Sequence, residues 1–270
     1  MVNRPVFWLC AVLLFSACTL PSYYNDYESR FDWRDEFRFL TPADRAPSPG
    51  EEYSFIVVSD IHIGGARDAL DFTRLGEKLN GAQFIVITGD VTNQGSREEL
   101  RLFIEAARSL GVPCYPAAGN HDIYTERGKP WRELIGSTMY RIDAGGASLF
   151  ILDNANAAFG YDQLDWLETQ LRRAGKNTFV FFHENLFVEA SPPDFEQTTD
   201  IRERAKIMSA LKGRAGLVFM GHIHRRMEKE FGGVRYITLE NYGATGGTGG
   251  FCRVRVSSGG VSWEFDRVVF

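Results

Sequence analysis

The sequence has few histidines and cysteines, no excess of basic residues, and no apolar run long enough to span a membrane as a helix. Four cysteines among 270 residues do not indicate a disulfide framework, because a chain of this length can bury a large apolar core. Cys114 and Cys252 could pair in an oxidising compartment, but two separately buried thiols are favoured. With 30 Lys+Arg against 35 Asp+Glu the net charge is -5, which argues against a nucleic-acid partner.

The N-terminus has the layout of a secretory signal peptide. Residues 1–17 hold one charged side chain, Arg4, followed by an apolar run over 6–15 and two small residues before Cys18. Because this run is about half of the roughly 20 residues that a membrane-spanning helix needs, a transmembrane anchor is the weaker alternative. Small residues before a cysteine resemble a bacterial lipobox, which predicts a lipid on Cys18. Thr19 after that cysteine favours the outer membrane by the same resemblance. Cleavage by an ordinary signal peptidase, or an uncleaved amphiphilic N-terminus, would also place the chain outside the cytoplasm.

The pattern of residues 18–270 predicts a tether followed by one α/β domain. Residues 18–51 mix charges, aromatics and prolines without a sustained period, which is typical of a linker. Over residues 52–270, short apolar runs alternate with segments of helical period, as in α/β folds. Three strand-like runs beyond residue 232 predict an antiparallel meander that closes the same domain. The glycine-rich segment 243–250 lacks the Gly-Lys-Ser/Thr of a phosphate-binding loop, so we interpret it as a flexible connection.

Polar side chains of metal-binding type follow five of the apolar runs. In chain order they are Asp60 with His62, Asp90, Asn120 with His121 and Asp122, His183, and His222 with His224. All five histidines of the chain belong to this set. Because the carboxyl ends of strands line the ligand crevice in open α/β sheets, these residues can converge although they are far apart in sequence.

Each group taken alone has an ordinary structural interpretation. Asp60 or Asp90 could cap a helix or a turn, and His183 could be a hydrogen-bonded core residue. His222 and His224 would point to opposite faces of a regular strand, so both could bind one site only where the backbone turns into a loop. The ordered pattern as a whole nevertheless predicts a metal centre.

Two metals fit this set better than one. Seven of these residues are candidate ligands, which exceeds one coordination shell: Asp60, His62, Asp90, Asn120, His183, His222 and His224. A shared carboxylate would let two cations activate a bridging water. Carboxylate and amide oxygens mixed with imidazoles suit Mn, Fe or Zn. The reaction class that this arrangement favours is hydrolysis of a phosphate ester by in-line attack.

The blocks Asp-x-His, Gly-Asp, Gly-Asn-His-Asp, His and Gly-His-x-His, in this order, resemble the calcineurin-like binuclear metallophosphoesterases over roughly residues 54–243. The resemblance implies an α/β fold of four layers, αββα, in which two mixed β-sheets are flanked by helices. It implies a first metal on Asp60, His62 and His224, a second on Asn120, His183 and His222, and Asp90 as the bridge. It also implies that His121 stabilises or protonates the leaving oxygen and that Asp122 orients the His121 imidazole.

Departures from the family pattern indicate which branch of the family the chain is most similar to. Asp90 leads into Asn93 and Gly95 instead of the Asp/Asn-Arg-Gly of the protein phosphatases, which disfavours a phosphoprotein substrate. The chain is more similar to the branch of cyclic-nucleotide and glycerophosphodiester phosphodiesterases. That branch often has His-Pro at the fourth block, whereas Glu184 follows His183 here.

The sequence therefore predicts an exported, lipid-anchored, binuclear metal-dependent phosphoesterase that favours small-molecule phosphodiesters. Arg225 and Arg226 directly follow the last block and could contact the substrate phosphate, although exposed loop arginines are the alternative. A broad phosphomonoesterase or pyrophosphatase is the alternative enzyme. A metal-stabilised surface lipoprotein is the alternative without catalysis, and the oligomeric state stays open.

Overall fold

The computed structural model describes residues 52–175, 177–187, 198, 200–243 and 247–270. The predicted signal peptide and the whole predicted tether, including Cys18, lie outside the described residues, as does part of the glycine-rich segment. Within the described ranges, no helix combines the length and the apolar character needed to cross a membrane.

Eleven strands and five α-helices lie in the described part of the chain. The strands are β1 (Tyr53–Val58), β2 (Ile85–Ile87), β3 (Cys114–Pro116), β4 (Tyr140–Ala144), β5 (Ala147–Ile151), β6 (Asn177–Phe181), β7 (Leu217–Met220), β8 (Met227–Phe231), β9 (Val234–Thr238), β10 (Thr248–Ser257) and β11 (Gly260–Val269). The helices are α1 (Ala66–Thr73), α2 (Arg97–Ser109), α3 (Lys129–Leu134), α4 (Tyr161–Leu171) and α5 (Ile201–Leu211).

The strands form two mixed sheets. The first has the order β11-β10-β1-β2-β3, in which β1, β2 and β3 are parallel and β10 and β11 are antiparallel to their neighbours. The second has the order β4-β5-β6-β7-β9-β8, in which β5, β6, β7 and β9 are parallel. Its two edge strands, β4 and β8, are antiparallel to their neighbours. Parallel strands place their carboxyl ends at the same edge, which is where the predicted ligands follow them.

Two of the longer helices begin with side-chain caps that their sequences supply. The hydroxyl of Ser96 accepts a hydrogen bond from the N–H of Glu99, and the Glu99 carboxylate accepts one from the N–H of Ser96. The Asp200 carboxylate accepts one from the N–H of Arg202 at 2.7 Å. These contacts satisfy N–H groups that the first turn of a helix leaves without a partner.

Three apolar clusters separate four layers. The first cluster packs α1, α2 and α3 against the outer face of the first sheet, and it includes the fully buried Phe103. The second fills the space between the two sheets, where the rings of Phe55 and Phe84 stack at 4.8 Å between centroids. The third packs α4 and α5 against the second sheet, and it includes Leu167 and Ile207. The predicted α/β fold of four layers, αββα, is confirmed.

The predicted C-terminal meander is wrong in its pairing. β9 pairs with β7 in the second sheet, whereas β10 and β11 form a hairpin in the first sheet. β8, which the sequence analysis did not predict, pairs with β9 at the sheet edge. The period of a strand specifies which of its side chains are buried, but it does not specify which strand lies beside it.

Cys114 and Cys252 are both buried and both free. Cys114 packs in the cluster beneath the helices and Cys252 in the cluster between the sheets, so the two thiols lie on opposite faces of the first sheet. β1 and β2 also lie between their strands. Burial raises the pKa of the Cys114 thiol to about 12. The favoured interpretation, two separate thiols that behave as small apolar residues, is therefore confirmed.

Candidate metal centre

The seven predicted ligands lie together at one edge of the sheet sandwich, just beyond the carboxyl ends of five strands. The first sheet supplies those that follow β1, β2 and β3, and the second supplies those that follow β6 and β7. In chain order they are Asp60, His62, Asp90, Asn120, His183, His222 and His224. The site therefore spans both sheets.

Most of these residues have a left-handed backbone conformation. Nine non-glycine residues in the described chain have positive φ angles, and five of them are predicted ligands: Asp60 (54°), His62 (55°), Asp90 (51°), His222 (73°) and His224 (52°). Such a conformation costs on the order of 1 kcal/mol per residue, and it concentrates at functional sites. The turned backbone also brings His222 and His224 to the same cluster, which a regular strand cannot do.

The first ligand group consists of Asp60, His62 and His224. The Nε2 atoms of the two imidazoles lie 3.2 Å apart, and Nε2 of His224 lies 3.3 Å from Oδ1 of Asp60. The carboxylate of Asp60 is fully buried, whereas the side chain of His224 is 45% exposed. This group is therefore open to solvent on its imidazole side.

The second ligand group consists of Asn120, His183 and His222. Oδ1 of Asn120 lies 2.9 Å from Nε2 of His183 and 3.1 Å from Nδ1 of His222. The same two imidazole nitrogens lie 3.2 Å from each other. His183 is fully buried, so this group is enclosed on the side that faces the core.

Asp90 lies between the two groups. Its Oδ2 is 3.3 Å from Nε2 of His183 and 3.7 Å from Nε2 of His62. Its Oδ1 accepts a hydrogen bond from the N–H of His121 at 3.0 Å. One carboxylate oxygen thus faces both groups, which is the placement that a carboxylate shared by two cations requires.

The donor set fits metal cations. The imidazole and carboxylate atoms form three groups in which all ligand atoms lie within 4.8 Å of one another. Burial by itself raises the pKa values of Asp60 and Asp90, but the neighbouring imidazoles lower both below their usual range. Two buried carboxylates and several imidazole nitrogens therefore converge on one space, and positive charge, from protonated imidazoles or from cations, stabilises such a cluster. Mn, Fe and Zn accept this mixture of nitrogen and oxygen ligands.

Backbone carbonyls orient two of the imidazoles. Nδ1 of His183 donates to the carbonyl oxygen of Thr88 at 2.9 Å, and Nδ1 of His121 donates to that of Asn93 at 2.8 Å. Because a carbonyl can only accept, each Nδ1 carries the proton and each Nε2 is directed into the site. Nε2 of His121 lies 4.0 Å from Oδ2 of Asp90. The His121 ring is thus held beside His62 of the first ligand group and beside Asp90.

The expected contact between Asp122 and the His121 imidazole is wrong. The buried Asp122 carboxylate accepts hydrogen bonds from the N–H groups of Val91 (3.2 Å), Thr92 (2.9 Å) and Gly119 (2.8 Å). It also accepts one from the Thr92 hydroxyl at 2.6 Å. Asp122 therefore joins the loop after β2 to the loop after β3, and the carbonyl of Asn93 orients His121 instead.

Two glycines of the motif are required by close packing. A Cβ atom on Gly119 would lie 2.1 Å from Oδ1 of Asp90 and 2.3 Å from its backbone nitrogen. A Cβ atom on Gly221 would lie 1.9 Å from Oγ of Ser59 and 2.6 Å from Oδ2 of Asp60. The loops after β3 and β7 therefore pass directly over the two carboxylates, and only a residue without a side chain allows this approach.

A family model described as calcineurin-like phosphoesterase matches residues 53–226, a span that contains both ligand groups. The chain belongs to the calcineurin-like phosphoesterase family. The resemblance inferred from the motifs is therefore confirmed, and the chain is a metal-dependent phosphoesterase.

Relatives of this phosphoesterase include phosphodiesterases. A probable cyclic nucleotide phosphodiesterase of Fibrobacter succinogenes is 24% identical over 191 residues, which are 63% of this chain and 72% of the relative. A 3',5'-cyclic adenosine monophosphate phosphodiesterase of Pseudomonas aeruginosa is 29% identical over 214 residues, which are 70% and 77% of the two chains. The structure of a purple acid phosphatase from yellow lupin (Lupinus luteus) matches with a TM-score of 0.63 at 14% identity. That match covers 83% of this chain and 53% of the lupin chain, and it shows the shared fold.

Two side chains to which the sequence analysis assigned no role support the phosphoesterase centre from behind. Oδ1 of Asn154 accepts hydrogen bonds from the N–H groups of His183 and Glu184, both at 3.0 Å. Oε2 of the buried Glu184 lies 3.3 Å from Nε2 of His222. Burial raises the pKa of Glu184 to about 8, and cations at the ligand groups would favour its ionised form. Asn154 follows β5 in the same way that the predicted ligands follow their strands. This position is the feature of the sequence that could have identified it as a functional residue.

A cleft of about 670 Å³ opens beside the exposed His224. Its lining includes Arg225, Arg226, Glu240, Phe265, Asp266 and Arg267. The guanidinium carbon of Arg226 lies 4.6 Å from the centroid of the Phe265 ring. Both predicted substrate-contacting arginines are thus exposed on the open side of the centre, and their contact with substrate stays a prediction.

Proposed function

We propose that the chain hydrolyses phosphodiesters of small molecules with two bound cations of Mn, Fe or Zn. The observation that carries the proposal is the position of Asp90, one oxygen of which faces both ligand groups. The first cation would be held by Asp60, His62 and His224, and the second by Asn120, His183 and His222. When bound, the cations supply Lewis acidity toward phosphoryl oxygens and lower the pKa of a water.

The protein contributes a preorganised ligand set. The left-handed conformations at both ends of the motif and the buried carboxylates hold the donor atoms in place before substrate arrives. Fixed groups of this kind do not have to reorganise during the reaction. Such preorganisation of polar groups is usually the largest contribution to electrostatic stabilisation of the transition state in enzymes.

His121 would deliver the proton that the leaving group needs. Its Nδ1 is held by the Asn93 carbonyl, so Nε2 is the nitrogen that faces the site. During hydrolysis the attacking water releases one proton to solvent as its oxygen bonds to phosphorus, the bond to the organic alkoxide breaks, and the alkoxide takes a proton from Nε2 of the protonated His121 ring. The neutral imidazole then regains a proton from solvent.

The open side of the centre supports a diester as substrate. A diester has a second organic group beyond the reacting phosphate, and the cleft beside His224 offers about 670 Å³ of space for it. Arg225 and Arg226 would contact the phosphate or a polar part of that group. The printed names of the Fibrobacter and Pseudomonas relatives support the same substrate class.

The test is metal content by elemental analysis of the full chain, together with hydrolysis of bis(p-nitrophenyl) phosphate and p-nitrophenyl phosphate before and after chelation. We expect close to two metals per chain and diester cleavage that the chelator abolishes. A preference for the monoester would favour a broad phosphomonoesterase or pyrophosphatase. No metal and no turnover, even after Mn, Fe or Zn is supplied, would favour a surface lipoprotein that is not an enzyme.

We also propose that the chain is exported and is anchored to a membrane by a lipid on Cys18. The signal-peptide layout of residues 1–17 supports this proposal. Mass spectrometry of the mature N-terminus in a bacterial host should find an acylated Cys18, and Cys18→Ser should release the chain from the membrane fraction. An unmodified N-terminus at another residue would instead indicate ordinary signal peptidase.

A further inference from the structure

Glu184 occupies the position at which the chain departs from the His-Pro of the related branch, and its side chain turns back toward the metal centre. Glu184 is 4% exposed, and its Oε2 lies 3.3 Å from Nε2 of His222. That oxygen has no hydrogen-bond partner within the described residues. A buried carboxylate oxygen in this situation costs free energy unless a neighbouring donor compensates it, and Nε2 of His222, although not aligned for a hydrogen bond in this structure, lies within 3.3 Å of it.

The two nitrogens of His222 face different neighbours. Nδ1 lies 3.1 Å from Oδ1 of Asn120 and 3.2 Å from Nε2 of His183, within the second ligand group. Nε2 lies toward Glu184. If Nδ1 is to offer a lone pair to a cation, the proton of the neutral ring must be on Nε2, and a carboxylate is the partner that favours this tautomer.

The backbone of Glu184 is held in place. Oδ1 of Asn154 accepts from the N–H groups of both His183 and Glu184, and Nδ2 of Asn154 donates to the Glu184 carbonyl at 3.0 Å. Asn154 is itself fully buried. The same side chain therefore positions the ligand His183 and the carboxylate that follows it.

We propose that Glu184 is a positioning residue that accepts the Nε2 proton of His222 and so holds Nδ1 toward the second cation. The proposal rests on the proposed function, because it assumes that the second ligand group binds a metal. A carboxylate on the outer nitrogen of a metal-binding imidazole fixes the ring and raises its basicity, and loss of such a partner typically lowers metal affinity by about 10- to 100-fold.

The first experiment measures the tautomer of His222 without any metal. In the metal-free full chain labelled with ¹⁵N, at a pH above the Glu184 pKa of about 8 so that its carboxyl is ionised, the ring-nitrogen shifts of the five histidines can be assigned with single His→Gln variants. We expect the wild-type His222 ring to carry its proton on Nε2, and we expect Glu184→Ala to shift the ring toward a mixture of tautomers. Identical His222 shifts in the two proteins would overturn the proposal.

The second experiment measures Zn²⁺ affinity by competition with a fluorescent chelator in the full chain. We expect Glu184→Ala to weaken one of two sites by about 10- to 100-fold. Glu184→Gln, which keeps the volume and an acceptor oxygen but not the charge, should have a smaller effect and guards against misfolding of the alanine variant. Equal affinities in wild type and both variants would overturn the proposal.

The matched control is Glu203→Gln. Glu203 is also a buried carboxylate, but it accepts hydrogen bonds from the N–H groups of Phe159 and Gly160 at 2.6 and 2.9 Å. Its loss should leave both zinc affinities unchanged. If the wild-type chain bound no zinc at all, the proposed function would fail, whereas the tautomer of His222 would still decide whether Glu184 orients that ring.

Discussion

The two ligand groups that share Asp90 differ in how the protein holds them. In the first group, Asp60, His62 and His224 all have left-handed backbone conformations, and the side chain of His224 is largely open to solvent. In the second group, the fully buried His183 is held by side-chain and backbone partners behind it. All three ligands of the first group therefore have left-handed backbone conformations, against only His222 in the second group, whose His183 is held instead by buried polar contacts.

This difference indicates that the open side of the centre binds substrate and that the enclosed side chiefly holds metal. The cleft beside His224 lies on the open side, so substrate would arrive there. The enclosed group depends on the residues behind it, Thr88, Asn154 and Glu184, which do not face the cleft. Changes behind the second group should therefore alter metal affinity, and changes beside the first should alter substrate affinity.

Asp90→Asn should affect both ligand groups at once, because one oxygen of Asp90 faces both of them. We expect weaker binding at both metal sites and a loss of diester turnover larger than the about 100-fold typical of residues that only support a ligand. Elemental analysis and hydrolysis of bis(p-nitrophenyl) phosphate measure the two effects. Asp165→Asn, a change at an exposed carboxylate paired with Lys206, is the control and should alter neither. Two tightly bound metals in Asp90→Asn would contradict the shared role of Asp90.

His121→Ala should separate catalysis from metal binding. We expect kcat to fall by about 10²- to 10⁴-fold, the range for loss of a general acid, while both metals stay bound. Steady-state kinetics and elemental analysis on the same preparation check this expectation. Because Nε2 of His121 lies near His62 and Asp90, loss of a metal in this variant would instead place His121 among the ligands. Unchanged turnover would exclude the proton-donor role.

Asn154→Ala should weaken the enclosed group alone. The N–H groups of His183 and Glu184 would lose their acceptor, which costs about 1–3 kcal/mol of unfolding free energy per buried group. We expect one metal site to weaken by about tenfold and the other to keep its affinity. Denaturant unfolding and metal titration give the two values. Asn154→Asp keeps an acceptor oxygen and serves as the comparison, and equal weakening of both sites would contradict the difference between the groups.

Arg226→Ala should have the smallest effect of these substitutions. It should weaken substrate binding on the open side of the centre and leave the metals in place. Exposed charged contacts contribute about 0.2–1 kcal/mol, so we expect KM to rise by no more than about fivefold with kcat and metal content unchanged. Arg202→Ala, at an exposed position in α5, is the control. An unchanged KM for several diesters would remove Arg226 from the substrate site.

The sequence was sufficient to predict much of the fold and the candidate ligands, because both depend on local pattern. The run after Ser54 reads as a buried strand, and Asp60 and His62 follow it in the order that the family motif requires. The neighbours of side chains were harder to predict. Asp122 was expected beside the His121 ring, but its carboxylate is directed to the loop after β2, because adjacent residues in a tight turn point in different directions.

Asn154 and Glu184 illustrate a second reason why side-chain contacts were hard to predict from the sequence. Neither belongs to the family motif, and a single polar residue after a strand is common in turns. Their importance arises from contacts across the second sheet, to His183 and His222, that no spacing in the chain encodes.

The sequence by itself determined the alternation of buried strands and helices and the identity of the seven candidate ligands. These are properties of single positions and short segments, which hydrophobic period and residue chemistry specify. Only the tertiary structure decided that β9 and β10 enter different sheets, that Cys114 and Cys252 face opposite layers, and which side chains support each ligand group. Those features depend on how the two sheets pack, because burial of apolar area is not directional and leaves the choice of neighbours to shape and hydrogen bonding across the whole domain.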